Sequence, residues 1–229
     1  MKNTQTSSAW EQHTPQSFAD LVFADDYTQQ DLYDYVQYPQ LCGNIILEGG
    51  YGSGKSTIAA VIAKERLGNT ASVYEFNGEA WDEDTLTTLR GTFNLARSCD
   101  EIPVLIINEV DRLKENQYKL RDFLDEHTQR LLVIMTTNLQ GNIDGSIVDR
   151  SDVFRVRGFE PKAAVPIAQR VLQRFHVAVT DSDLEAIFGR SLVGDETELS
   201  LRKIGRTVDK LVLQLGTAPK PPKPTLKVV

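Results

Sequence analysis

Short apolar runs alternate with amphipathic stretches over the first two thirds of the chain. Asn44-Ile-Ile-Leu47 lies between glycines and has the length and continuity of a strand buried on both faces. Ser72–Phe76, Val104–Ile107, Leu131–Met135 and the shorter Val153–Val156 repeat the pattern. Between them the apolar spacing changes to three and four. Ser56–Leu67 carries Ile58, Val61, Ile62 and Leu67 on one helical face, and Gly68 closes it. Asp84–Ala96, with Leu86, Leu89, Phe93 and Leu95, reads as a helix in the same way, as does Gln117–Glu126. Asp25–Tyr38 is a helix ahead of the first strand, stopped by Pro39. Strands alternating with helices predict an α/β fold with three layers, a mostly parallel sheet covered on both faces.

After Gly158 the strands stop. Pro161–Phe175, Asp181–Phe188 and Leu199–Leu215 read as three helices of a small C-terminal helical domain. Thr180 is the N-cap of the second, with Asp183 in the capping-box position, and Pro166 is expected to kink or restart the first. Residues 1–16 are polar and without periodicity, apart from Trp10, an amphipathic ring expected to dock on something. The segment 217–229 holds four of the nine prolines and three lysines, a polyproline-like tail or a docking peptide.

Composition narrows the class. With 41% hydrophobic and 25% charged residues, 229 residues can build a core, and disorder throughout is excluded. The apolar runs are too short to cross a bilayer, and no charged-then-apolar leader opens the sequence, so a cytoplasmic protein is expected. Cys42 and Cys99 are too few for a disulfide scaffold, and with His13, His127 and His176 they form no metal-ligand spacing. The net charge of −7 argues against a uniformly basic DNA-coating protein. From Arg150 onward, however, 14 basic residues face 9 acidic ones, so an acidic front precedes a basic back. That asymmetry suits oriented assembly or a local DNA contact, and equally two ordinary solvated surfaces.

Chemistry enters at Gly49-Gly50-Tyr51-Gly52-Ser53-Gly54-Lys55-Ser56-Thr57, which matches GxxxxGK[ST] between an expected strand and an expected helix. Glycines let backbone N–H groups turn toward phosphate oxygens, and the helix start adds its dipole. Lys55 is placed for the β/γ-phosphates and Ser56 for Mg²⁺. Val104-Leu-Ile-Ile-Asn108-Glu109-Val-Asp111 ends a strand in polar groups, where ligand sites of such sheets lie. Asn108 stands where an Asp usually helps hold the metal, and its amide oxygen can still accept from a metal-bound water. Glu109 sits where a carboxylate would polarise an attacking water. Asn138, in Thr136-Thr137-Asn138 after the fourth strand, can bond both γ-phosphate and water, although alone it is also an ordinary turn residue. ATP and Mg²⁺ are the expected ligands.

Together these residues resemble the AAA+ ATPases, and among them the subunits of sliding-clamp loaders, the replication factor C small subunits and their phage counterparts. Trp10-Glu-Gln-His-Thr-Pro15 with Ser17-Phe-Ala-Asp-Leu-Val22 is similar to the opening segment that covers adenine in that family. Ser146-Ile-Val-Asp149-Arg150-Ser-Asp-Val-Phe-Arg-Val156 resembles its arginine-finger stretch, Asn108–Asp111 its DExD box, and Phe175–Ile187 its lid. The resemblance implies that Arg150 reaches the γ-phosphate of a neighbouring subunit and that Arg202 touches phosphate in its own. It loosely implies that Lys114, Lys119 or Arg121 tracks DNA, although a solvated face fits them as well. It implies an arm at 1–16, a nucleotide-binding α/β domain at 17–157, a helical lid at 158–216 and a tail at 217–229.

Several positions depart from the family. Asn108 puts metal handling in question, His13-Thr14 replace the usual Tyr-Arg, and Glu196–Leu201 lengthens the approach to Arg202. Asp149 replaces a serine before Arg150 and is expected to tether or neutralise it. No helical collar is expected after the lid. The implied function is an ATPase that couples ATP binding and hydrolysis to oligomer assembly, homo- or heteromeric, and to handling of DNA or a replication or recombination partner, away from membranes. Two rivals remain: a collarless AAA+ regulator or loader of a helicase, transposase or mobile-element defence system, and a nucleotide-dependent scaffold with little hydrolysis, which Asn108 favours.

Overall fold

The computed structural model describes residues 8–68, 73–80, 82–95, 102–127 and 129–216. Ser72, Ala96, Cys99 and the tail after residue 216 lie outside them. Five strands form one parallel sheet: β1 (Gly43–Glu48), β2 (Val73–Asn77), β3 (Val104–Asn108), β4 (Leu132–Thr137) and β5 (Asp152–Arg155). Their spatial order is β2-β3-β4-β1-β5. The three central strands are the apolar runs of the sequence, because each faces a helical layer on both sides.

Alternation within those strands divides the core in two. Ile45 and Leu47 of β1, Val104 and Ile106 of β3, and Leu132 and Ile134 of β4 face one cluster. It is completed by α1 (Asp26–Gln37) and α2 (Lys55–Leu67) through Leu32, Ile58, Ile62 and their neighbours. The intervening residues Ile46, Leu105, Ile107, Val133 and Met135 face the other cluster. It is completed by α3 (Glu83–Leu95) and α4 (Gln117–His127) through Leu86, Phe93, Leu120 and Phe123. A one-turn helix, α5 (Gly145–Val148), adds Ile147 to that second side. The chain thus leaves β1 toward one face and β4 toward the other, which opens a crevice at their adjacent carboxyl ends.

The opening segment folds onto α2. Ser17 and Asp20 form a capping box, Phe18 is buried, and its N–H donates to Glu65 at 2.7 Å. At the other end of α2, the buried Arg66 donates to the carbonyls of Tyr35, Pro39 and Leu41, which fixes the turn from α1 into β1. Burial lowers its pKa from the usual guanidinium value. Arg66→Met would leave three carbonyls without their charged donor. It is expected to cost about 3 kcal/mol, read as a lower urea midpoint at unchanged slope. Tyr35 ties α1 to the sheet by donating to Asp152 at 2.7 Å, and burial with the neighbouring carboxylate holds its phenol protonated.

The structure divides into two compact units, one spanning Pro15–Gly158 and the other joining the residues before it to those from Phe159 onward. The second unit contains α6 (Pro161–Arg174), α7 (Asp181–Ser191) and α8 (Leu201–Leu215). Thr180 caps α7 by accepting from Asp183 N–H at 3.1 Å, while its hydroxyl donates to the Asp183 carboxylate at 2.6 Å. Two expectations need correction. Pro166 does not restart the first helix, since α6 runs through it. The last helix starts at Leu201, two residues later than its periodicity suggests, because Leu199 pairs with Phe159 in an antiparallel bridge and Ser200 takes the N-cap. Trp10 docks within this unit. Its backbone N–H donates to Asp209 at 2.9 Å, and its ring lies so close to Gly205 that a Cβ there would sit 2.6 Å from it.

Candidate functional site

The glycine-rich segment Gly49–Gly54 leaves the carboxyl end of β1 and turns into α2. Gly52 and Gly54 adopt φ of 76° and 100°, conformations that an L side chain resists. Gly49 has a different reason to be glycine, since a Cβ there would lie 2.2 Å from the Val156 carbonyl oxygen. Ser53 is buried and its Oγ finds no partner, whereas Tyr51 is exposed at the loop tip. Thr57 lies within the first turn of α2. Lys55 begins the helix and is also buried. Its ammonium donates to the Gly49 and Gly50 carbonyls at 2.8 and 2.9 Å and to Asn138 Oδ1 at 3.0 Å. A buried cation that folds back over its own loop next to a side-chain amide is positioned for an anion seated there.

Two strand ends and the first turn of α2 supply the remaining polar groups. Ser56 Oγ donates at 2.8 Å to Oδ1 of Asn108, the last residue of β3. Thr136, near the end of β4, donates to the same oxygen at 3.2 Å and accepts the Glu109 N–H at 3.1 Å. Thr137 donates to Asp111 at 2.8 Å, knitting the two strand ends together just before Asn138. The structure therefore brings the loop, Lys55, Ser56, Asn108, Glu109 and Asn138 to one end of the sheet.

Glu109 holds a left-handed backbone, φ 55° and ψ 51°, which a residue with a Cβ adopts at a cost. Its carbonyl packs on Gly78, where a Cβ would approach within 2.3 Å. Its carboxylate pairs with Arg112 at 2.9 Å, and Arg112 also pairs with Glu79. Both acidic partners raise the already high pKa of Arg112, so the arginine stays charged. Neither Arg112 nor Glu79 stands out in the sequence, although Arg112 lies one helical turn beyond Glu109.

Arg150 lies elsewhere. Its carbonyl accepts from Asn44 at 3.0 Å near the start of β1, roughly 16 Å along the strand from the glycine loop. The tether expected from Asp149 is instead Asp125 of α4. Arg150 Nε and Nη2 meet the two Asp125 oxygens at 2.6 and 3.3 Å, while Nη1 donates to Ser146 O at 2.8 Å. Asp149, the residue before Arg150, acts on the guanidinium through its charge at a distance. Arg150 holds the Asp125 carboxyl below the usual range, so the pair is fully charged at neutral pH and weakens with salt.

Arg202 is exposed in the first turn of α8, in the other compact unit. On α4, Arg121 pairs with Asp122 at 2.8 Å, and Lys119 lies 5.9 Å from the Tyr118 ring centre. Lys114 is exposed in a left-handed turn ahead of α4. No cluster of metal-ligating residues occurs among the described residues.

Residues 45–159 match the model of the ATPase family associated with various cellular activities (AAA). The chain belongs to the AAA family. This AAA protein is 26% identical over 190 residues to the replication factor C small subunit of Methanoregula boonei, covering 80% of this chain and 58% of that one. In three dimensions it matches a solved RuvB of Thermotoga maritima with a TM-score of 0.66 at 19% identity, covering 88% of this chain and 65% of RuvB. The replication initiator DnaA, solved with AMPPCP and single-stranded DNA, matches with a TM-score of 0.67 at 12% identity and the same coverage. The AAA chain thus spans less than two thirds of the length of each of these three. No described helix is long and apolar enough to cross a membrane.

Proposed function

We propose that the chain is an ATP-hydrolysing switch that works in an assembly with other AAA+ subunits on DNA, in the manner of a clamp-loader subunit. The observation that carries the reading is the convergence of Lys55, Ser56, Asn108 and Asn138 at the glycine loop. Lys55 exchanges its carbonyl partners for β- and γ-phosphate oxygens, and the loop N–H groups bind the rest of the chain of phosphates. The Ser56 hydroxyl and the Asn108 amide oxygen, 2.8 Å apart, fit an oxygen-ligand site for Mg²⁺. Mg²⁺ held there supplies charge neutralisation at the phosphates. Glu109 orients and polarises the attacking water, and Asn138 shares its amide between that water and the γ-phosphate.

Arg150 is too far along β1 to serve this loop and is assigned to a neighbour's. Arg202 is a cation in the first turn of a helix, where the dipole disfavours it, and an ATP phosphate offsets that cost. In this reading 17–157 is the nucleotide-binding α/β domain and 158–216 the helical lid.

The likeness to replication factor C, RuvB and DnaA favours DNA as the partner, and the clamp-loader reading calls for primed template DNA. The test is steady-state ATP turnover with primed, duplex and single-stranded DNA. Turnover is expected to rise most with primed DNA. A uniform response to all three, or none, would favour the collarless regulator of another replication or recombination protein. The scaffold reading has its own support in Asn108, and it predicts ATP binding with no turnover under any of these conditions.

A further inference from the structure

Asn108 lacks the charge usual at its position, yet the charge is close by. Its Nδ2 donates to Glu75 Oε1 at 2.7 Å, while its Oδ1 accepts from Ser56 at 2.8 Å. Glu75 belongs to β2, the edge strand, two residues before Asn77, which pairs in register with Asn108. With a period of two, Glu75 and Asn77 share a face of β2, and the glutamate reaches diagonally across to β3. One amide group therefore links the metal-side hydroxyl to a carboxylate on the neighbouring strand.

The chemistry of the amide explains the pairing. An Asp at 108 could accept from Ser56 and Thr136 but has no proton to give Glu75, so two carboxylates would face each other. An Asn accepts on one side and donates on the other. The oxygen that accepts from Ser56 and the nitrogen that donates to Glu75 lie on the same planar group. That keeps the carboxylate, itself exposed, within about 8 Å of the hydroxyl, about one Debye length at physiological salt.

We propose that Glu75, acting through Asn108, supplies the negative charge that this site directs toward Mg²⁺. It is a positioning residue of the outer shell, and the Glu75–Asn108 pair is a relocated form of a single metal-side carboxylate. The inference rests on the ATP reading above.

The test titrates MgCl2 against the affinity for ATP, measured by calorimetry without turnover. Glu75→Gln preserves shape and is expected to raise the half-saturating Mg²⁺ concentration ~10- to 100-fold, with ATP affinity in EDTA within ~2-fold of wild type. The charge swap Glu75→Gln/Asn108→Asp should return the Mg²⁺ requirement to within ~3-fold of wild type, which a merely structural role for Glu75 would not do. Asn108→Asp alone is the second probe. It sets two carboxylates together, so its melting temperature should fall in EDTA and recover with MgCl2. A wild-type Mg²⁺ requirement in Glu75→Gln, or a swap no better than that variant, would overturn the assignment. If the wild-type chain bound no ATP with or without MgCl2, the nucleotide reading itself would fall, and this assignment with it.

Discussion

Glu109→Gln is expected to bind ATP as tightly as wild type and to hydrolyse it ~10²- to 10⁴-fold more slowly. The substitution keeps the side-chain shape and the left-handed backbone that Gly78 and Thr136 hold in place. What it removes is the carboxylate proposed to polarise water, and with it the ion pair to Arg112. Loss of the pair is a smaller effect, since the pair is partly exposed and screened. Pre-steady-state mixing with radiolabelled ATP separates the two, because binding is complete before the slow step. Equal loss of affinity and rate would mean that Glu109 shapes the pocket rather than acting on water.

Arg150→Ala is expected to abolish the part of hydrolysis that depends on protein concentration, a loss of ~10³-fold or more at saturating subunit, while ATP affinity is unchanged. The argument is one of position. Arg150 stands near the start of β1 and its guanidinium is occupied by Asp125 and Ser146. It cannot serve its own loop, and to serve a neighbour's it must leave Asp125. An exposed ion pair can be surrendered in that way, more readily as salt rises. Asp125→Asn should therefore lower the protein concentration at which hydrolysis appears. Turnover measured across a dilution series reads both effects. Normal, concentration-independent hydrolysis by Arg150→Ala would remove the trans role.

Much of this was legible in the chain because it is local. A strand buried on both faces writes itself as a continuous apolar run, and Val104–Ile107 and Leu131–Met135 do so. The glycine loop announces its chemistry within nine residues, since backbone turns, helix start and lysine must be adjacent. The long-range pairs were not legible. Glu75 with Asn108 and Arg150 with Asp125 join common residue types from distant segments, and only the sheet register and the α4 packing bring them together. Asp149 was the nearer acid in sequence, which made it the natural but mistaken tether. Leu199 failed differently: its apolar character suits a helix face and a β-bridge equally, and the partner Phe159 decides between them.

The account stands on ATP occupying the glycine loop. The direct measurement is equilibrium ATP binding by the wild-type chain and by Lys55→Ala, in the presence of MgCl2. Removal of a buried ammonium that meets Asn138 at the glycine loop should weaken binding ~10- to 100-fold. Wild-type binding that is lost to that extent in Lys55→Ala is the predicted result. Equal affinity of the two proteins, or no binding by either, would contradict it.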